Sequence, residues 1–152
     1  MTSTANKNQK TKHKTRQCWP AASAVFFVLC ALFLSSCLLV SGGATSTDTQ
    51  AAAGNVSASF VSAEGQDERT LDVGEQSQLA VIAIVSVAQG ELRVDILDPN
   101  GSVVLSVQGR PNEQVTKSGM VQTNANGELR YRVTAQSARN GSYQVLYQKT
   151  GT

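Results

Sequence analysis

The chain predicts an all-β fold, a jelly-roll-like antiparallel β-sandwich of about eight strands preceded by one N-terminal hydrophobic helix. Three observations predict it. Beyond Val56 apolar residues recur at every second position, the breaks between these runs carry turn chemistry, and no segment there has a helical period. The uncharged run that supplies the helix lies before all of them.

The alternation is plainest in Glu91–Leu97, where Leu92, Val94 and Ile96 share one face while Arg93 and Asp95 share the other. Such a strand is half-buried, so reversing the outward Arg93 to Asp is expected to shift stability by less than about 1 kcal/mol. The same pattern appears at Val103, Leu105 and Val107, at Leu129, Tyr131 and Val133, and at Tyr143, Val145 and Tyr147. Gln78–Val87 is apolar on both faces and reads as a central strand covered on either side. Val56–Ser62, Arg69–Val73 and Ser118–Thr123 complete the set. Between them, Asp98-Pro99-Asn100-Gly101 places Pro at the second turn position and Gly after it, which predicts a hairpin. Asn124–Gly127 and Arg139–Gly141 punctuate the later strands in the same way.

The N-terminal third is organised differently. Residues 1–20 form a basic arm in which Lys7, Lys10, Lys12, Lys14 and Arg16 occur without a single acid. The remaining eight of the 13 basic residues and all 11 acids lie beyond the apolar run, leaving that portion at −3. A basic tail directly before an apolar run fits retention on the cytoplasmic face better than nucleic-acid binding. Arg16 and Trp19 would then sit at the membrane interface, where an amphipathic ring has one wet and one dry side.

Residues 21–40 carry no charge, and roughly 20 residues at about 1.5 Å each cross a hydrocarbon core. Three readings stay open: an uncleaved transmembrane anchor, an ordinary cleaved signal peptide, or a lipoprotein. Leu34-Ser35-Ser36-Cys37 resembles the bacterial lipobox, which implies Cys37 as the lipid-attachment residue. Against it, the arm is long and the apolar run continues through Leu38, Leu39 and Val40, which favours the helix. Val40, Gly42 and Ala44 supply small residues for ordinary cleavage. All three cysteines, Cys18, Cys30 and Cys37, lie in or beside this segment, so the outer domain has no disulfide framework. Residues 41–55, rich in Ser, Thr, Ala and Gly, read as a flexible linker to a folded domain at 56–150.

The run GELRVDILDPNGSVV, followed by NGELRYRVTAQSARNGSYQVLYQ, resembles the bacterial pre-peptidase C-terminal domain and related jelly-roll modules. The resemblance covers most of Val56–Lys149. It implies an accessory β-sandwich of exported proteins that serves binding, adhesion or spacing, with no catalytic domain beside it in this chain.

Chemistry is sparse. The single histidine, His13, lies in the basic arm, which rules Ser-His catalysis out of the outer domain. Without His or Cys that domain offers no zinc ligand set, and no cofactor is expected. Asp67, Glu68, Asp72 and Glu75 read as a solvated acidic edge rather than a calcium loop, and Asp95 and Asp98 flank a turn. Arg93, Arg130 and Arg132 point outward on predicted strands and form a candidate anion-binding face, with Arg110 near them. Asn55, Asn100 and Asn140 each open an N-x-S triplet, and the last two read as turn residues.

The expected protein is therefore a non-catalytic binding or adhesion module anchored in the cell membrane, with its C-terminal domain extracytoplasmic. Its expected partners are the membrane and either another envelope protein or a surface polymer. The alternative is a structural subunit of an envelope complex. A contiguous apolar patch on one sheet favours assembly, and a loop-end concavity lined by aromatics favours ligand binding.

Overall fold

The computed structural model describes residues 37–150, and within them every regular element is a strand. The order is β1 (Leu39–Ser41), β2 (Ala44–Thr49), β3 (Ala53–Asp72), β4 (Gln78–Leu97), β5 (Val103–Gln108), β6 (Glu113–Gln122) and β7 (Glu128–Lys149). All strand pairings are antiparallel. The all-β expectation thus holds for the described residues. The helix expected over 21–40 falls mostly outside them, as do Arg16, Trp19 and His13. No helix among the described residues is long and apolar enough to cross a membrane.

Eight separate strands were expected, yet six of those segments are halves of three long ones. Val56–Ser62 and Arg69–Val73 fall on or at the end of β3, the two runs Gln78–Val87 and Glu91–Leu97 are both β4, and the last two runs are both β7. Each long strand passes through both layers. The first half of β3, the second half of β7 and the first half of β4 pair in one layer, flanked by β2 and β6. The remaining halves pair in the other layer, with β5 on the β4 edge. β1 joins β3 at Ser62–Glu64, beside the bend.

A crease separates the layers, because the register breaks of all three strands fall side by side. β3 shifts between Ala63 and Gly65 and β4 between Gln89 and Glu91, opposite Ala135–Arg139 of β7. The backbone there turns left-handed at Gly65, Gly90, Ser137 and Asn140. Extra residues at bulges bend a strand and flip its alternation. In β4 the buried positions run Leu79, Val81, Ala83, Val85 and Val87 before the crease and Leu92, Val94 and Ile96 after it. The fold-back is measurable in β7, where twelve extended residues would span about 40 Å. The rings of Tyr131 and Tyr143 nevertheless lie 6.3 Å apart, tilted at 58°. Inward faces from both layers merge into one core cluster that includes Val56, Leu79, Ile96, Tyr131 and Val145.

Two of the expected turns form as turns. Asp98 accepts backbone hydrogen bonds from Asn100 and Ser102 on its carboxylate, at 2.9 and 2.7 Å, and β4 and β5 form the hairpin. Asn124 closes the β6–β7 connection similarly. Arg139–Gly141 is not a break, because β7 runs through it. Gly141 is required for another reason: it sits opposite Phe60, and a Cβ there would meet that ring at 2.5 Å.

The expected flexible linker is also corrected. Ala44–Thr49 pairs residue for residue with Ser59–Gly54, and Leu39 and Val40, read as the end of the apolar segment, belong to β1. A backbone ladder needs no apolar side chains, and Thr45, Thr47 and Thr49 are β-branched. All six β2 residues are exposed, so no apolar period marks the strand.

Candidate functional site

The outer face of the five-stranded layer (β2-β3-β7-β4-β6) carries a trough. Sequence alternation hid it, because β4 was expected to be covered on both sides. Only its inner face is covered: Ile82 is 42% exposed, and Ala80, Ile84 and Ser86 are half-buried. Register places Asn55, Leu146 and Ile82 in one cross-strand row and Ser57, Gln144 and Ile84 in the next. Two adjoining hollows of about 360 and 310 Å³ follow these rows, walled by Asp48 and Gln50 at one end and by Ser46 and Gln114 at the other. From Gln148 to Ser142 the trough runs about 20 Å along the strands.

Its floor is aliphatic, from Ile82, Ile84 and Leu146, and its polar groups are amides and hydroxyls, chiefly Asn55, Ser57, Gln144 and Gln148. Among the lining residues there is one carboxylate, Asp48, and no Lys or Arg. Amides and hydroxyls both donate and accept, so they complement ligand hydroxyls. The Asn55 Oδ1 atom is buried without a hydrogen-bond partner, an acceptor aimed at nothing within the fold. Met120 extends the aliphatic surface beside Ala80 and is 51% exposed.

The arginines named from sequence lie on the outer face of the other layer. Arg130 donates to Glu68, and Arg132 donates to the same carboxylate at 3.0 Å. The Arg130 and Arg132 hydrogen bonds hold the Glu68 carboxyl below its usual range. Arg93 lies 3.1 Å from the Asp95 carboxylate, which also accepts from the Ser106 hydroxyl at 2.6 Å. Asp95 is only 3% exposed although its face is outward, because these neighbours lie over it. The structure therefore brings all three guanidiniums to one face and interleaves them with two carboxylates.

The acidic group disperses. Asp67 pairs with Arg69 at 2.7 Å, Asp72 caps the Gly74 amide, and among the described residues no cluster of three or more His, Cys, Asp or Glu could hold a metal ion. Arg69 and Asp67 lie on the inward side near Tyr131 and Tyr143, whose burial pushes the Tyr143 phenol upward. Cys37 is exposed, two residues before β1.

No family model matches the chain, and no curated protein matches it. Solved structures align over most of it at low similarity. A carbohydrate-binding module of Cellvibrio mixtus lichenase 5A is 15% identical over 74% of this chain and 91% of that one, with a TM-score of 0.39. A family 35 carbohydrate-binding module from Clostridium thermocellum is 12% identical over 72% and 90%, with a TM-score of 0.36. A Podospora anserina mannanase is 12% identical over 78% of this chain and 27% of that one, with a TM-score of 0.44.

Proposed function

We propose that this chain is a non-catalytic binding module held at the cell membrane, with its β-sandwich extracytoplasmic and its outer trough receiving an extended, uncharged, hydroxyl-rich surface polymer. The observation that carries the reading is the trough itself, with an aliphatic floor, bifunctional amides and hydroxyls along about 20 Å, and the orphaned Asn55 acceptor. Sheet backbone in the floor is already paired across β3, β7 and β4, so a ligand there is read by side chains. Anchoring rests on the uncharged run and the basic arm, and the start of β1 at Leu39 supports Cys37 as its acylated end. The apolar Leu39 and Val40 have a role in the strand that requires no longer helix.

A second reading, the structural subunit, is favoured by the aliphatic continuity of Ile82, Ile84, Leu146 and Met120. One experiment separates the two. A photoreactive amino acid replacing Ile82 in the full chain, irradiated in cells, should give a polydisperse adduct that collapses on glycan digestion. A single discrete protein adduct supports the subunit instead, and no adduct at position 82 refutes both uses of this face. In the same cells, an alkyne-tagged fatty acid should label the chain, and the Cys37→Ala variant should lose the label.

A further inference from the structure

A second cleft opens where the two layers part at their β5 and β6 edges. β5 ends at Gln108, the chain crosses through Gly109–Asn112, and β6 begins at Glu113. The crossing is held by hydrogen bonds from the Gly109 amide to the Leu92 carbonyl, at 2.7 Å, and from the Asn112 amide to the Val87 carbonyl, at 2.9 Å. These two contacts straddle the Gly90 bend in β4, which leaves a hollow of about 510 Å³ between bend and crossing. A smaller polar recess of about 50 Å³ adjoins it through the shared residues Glu91 and Gln108 and reaches Arg93 and Thr134.

The charge around this cleft differs from that of the trough. Lys117 points toward the gap between the layers and donates to the Ser106 carbonyl at 2.7 Å, with no carboxylate within ion-pair distance among the described residues. Arg110 is held by Glu113 only at 3.5 Å, and both side chains are largely exposed. Glu91 and Gln108 line the same hollow as these cations. In the recess, the Thr134 hydroxyl is buried without a partner. Two weakly engaged cations call for an anion, but a bare anion gains nothing from Glu91. A group that carries a carboxylate and vicinal hydroxyls satisfies both sides: the carboxylate meets Arg110 and Lys117, while hydroxyls donate to Glu91 and exchange hydrogen bonds with Gln108.

We propose that this cleft is a binding site for an acidic sugar residue, a uronate, distinct from the trough and independent of what the trough binds. Arg110 and Lys117 take the carboxylate, and Glu91 selects for the hydroxyls.

The test titrates the full chain in detergent with trigalacturonate, with neutral trigalactose and inorganic phosphate as separate arms. Trigalacturonate should bind, and Arg110→Ala and Lys117→Ala should each weaken it by about tenfold, as expected for loss of one charge-assisted hydrogen bond. Lys149→Ala, an equal charge change at the other end of the domain, should leave it unaltered. Glu91→Gln should lower the preference for trigalacturonate over phosphate, whereas a bare anion site would bind both more tightly once the repelling carboxylate is gone. Equal binding by the Arg110, Lys117 and Lys149 variants would place the affinity outside this cleft and overturn the site. Phosphate binding as tight as trigalacturonate, or trigalactose binding that is lost in Arg110→Ala, would overturn the uronate assignment.

Discussion

At the residue scale, Asp95 shows how an outward position can still be interior. Alternation with Val94 and Ile96 places it on the outer face, and Arg93 and Ser106 then close over it. Against the sequence-based expectation that Arg93→Asp is nearly neutral, this arrangement leads us to expect a measurable loss of stability. That change sets a second carboxylate beside one that is 3% exposed and has lost its counter-charge. Because Arg93 itself is about half exposed, with a side-chain exposure of 47%, the expected cost is discounted to about 1–3 kcal/mol. Urea unfolding at pH 7 should show it, and adding Asp95→Asn should recover most of the loss. A loss no larger than that of Arg110→Asp, on an open side chain, would mean that Asp95 is solvated.

At the scale of elements, the crease is the feature that turns three strands into two layers. Gly90 carries it, with φ of 76° and the Ser137 and Gln136 carbonyls so close that a Cβ would collide with them. Gly90→Ala is expected to destabilise by about 1–3 kcal/mol, since it imposes left-handed strain and displaces β7 at once. Gly119→Ala is the control. Its backbone is not left-handed and its added Cβ meets Leu105 at an ordinary 3.6 Å. Thermal melts should separate the two variants clearly, and equal melting temperatures would show that the crease relaxes without cost.

At the scale of the whole domain, the two N-terminal strands decide where the folded unit starts. A fragment begun at Val56, the boundary that apolar periodicity suggests, loses β1, β2 and the first three residues of β3, among them Gly54 against the Tyr147 ring. It also leaves the β3 edge unpaired next to the 56% exposed Val61. Open strand edges template association. The fragment Cys37–Thr152 is expected to fold as a β-rich monomer, and Val56–Thr152 to melt lower and self-associate. Sedimentation velocity and far-ultraviolet circular dichroism check both, and identical behaviour would reduce β1 and β2 to ornament on a complete domain.

Much of the fold was legible because it is written in local chemistry. A period of two marks which side chains of β4, β5 and β7 face inward, and the turns at Asp98 and Asn124 announce themselves through carboxylate and amide side chains that bond their own backbone. The fold class and the core residues Val94, Ile96, Tyr131 and Val145 follow from that alone. Strand continuity did not follow, since a bulge interrupts the period just as a turn does, and only pairing across β3, β4 and β7 tells them apart. β2 was invisible because its stabilisation comes from backbone hydrogen bonds, which leave no trace in side-chain polarity. The candidate sites belong to the same class. Asn55, Gln144 and Ile82 are far apart in the chain and become neighbours through register, while Arg110, Lys117 and Glu91 meet only because the strands bend between them. Sequence determined the alternation from which the layers are made, and long-range pairing decided which surfaces they present.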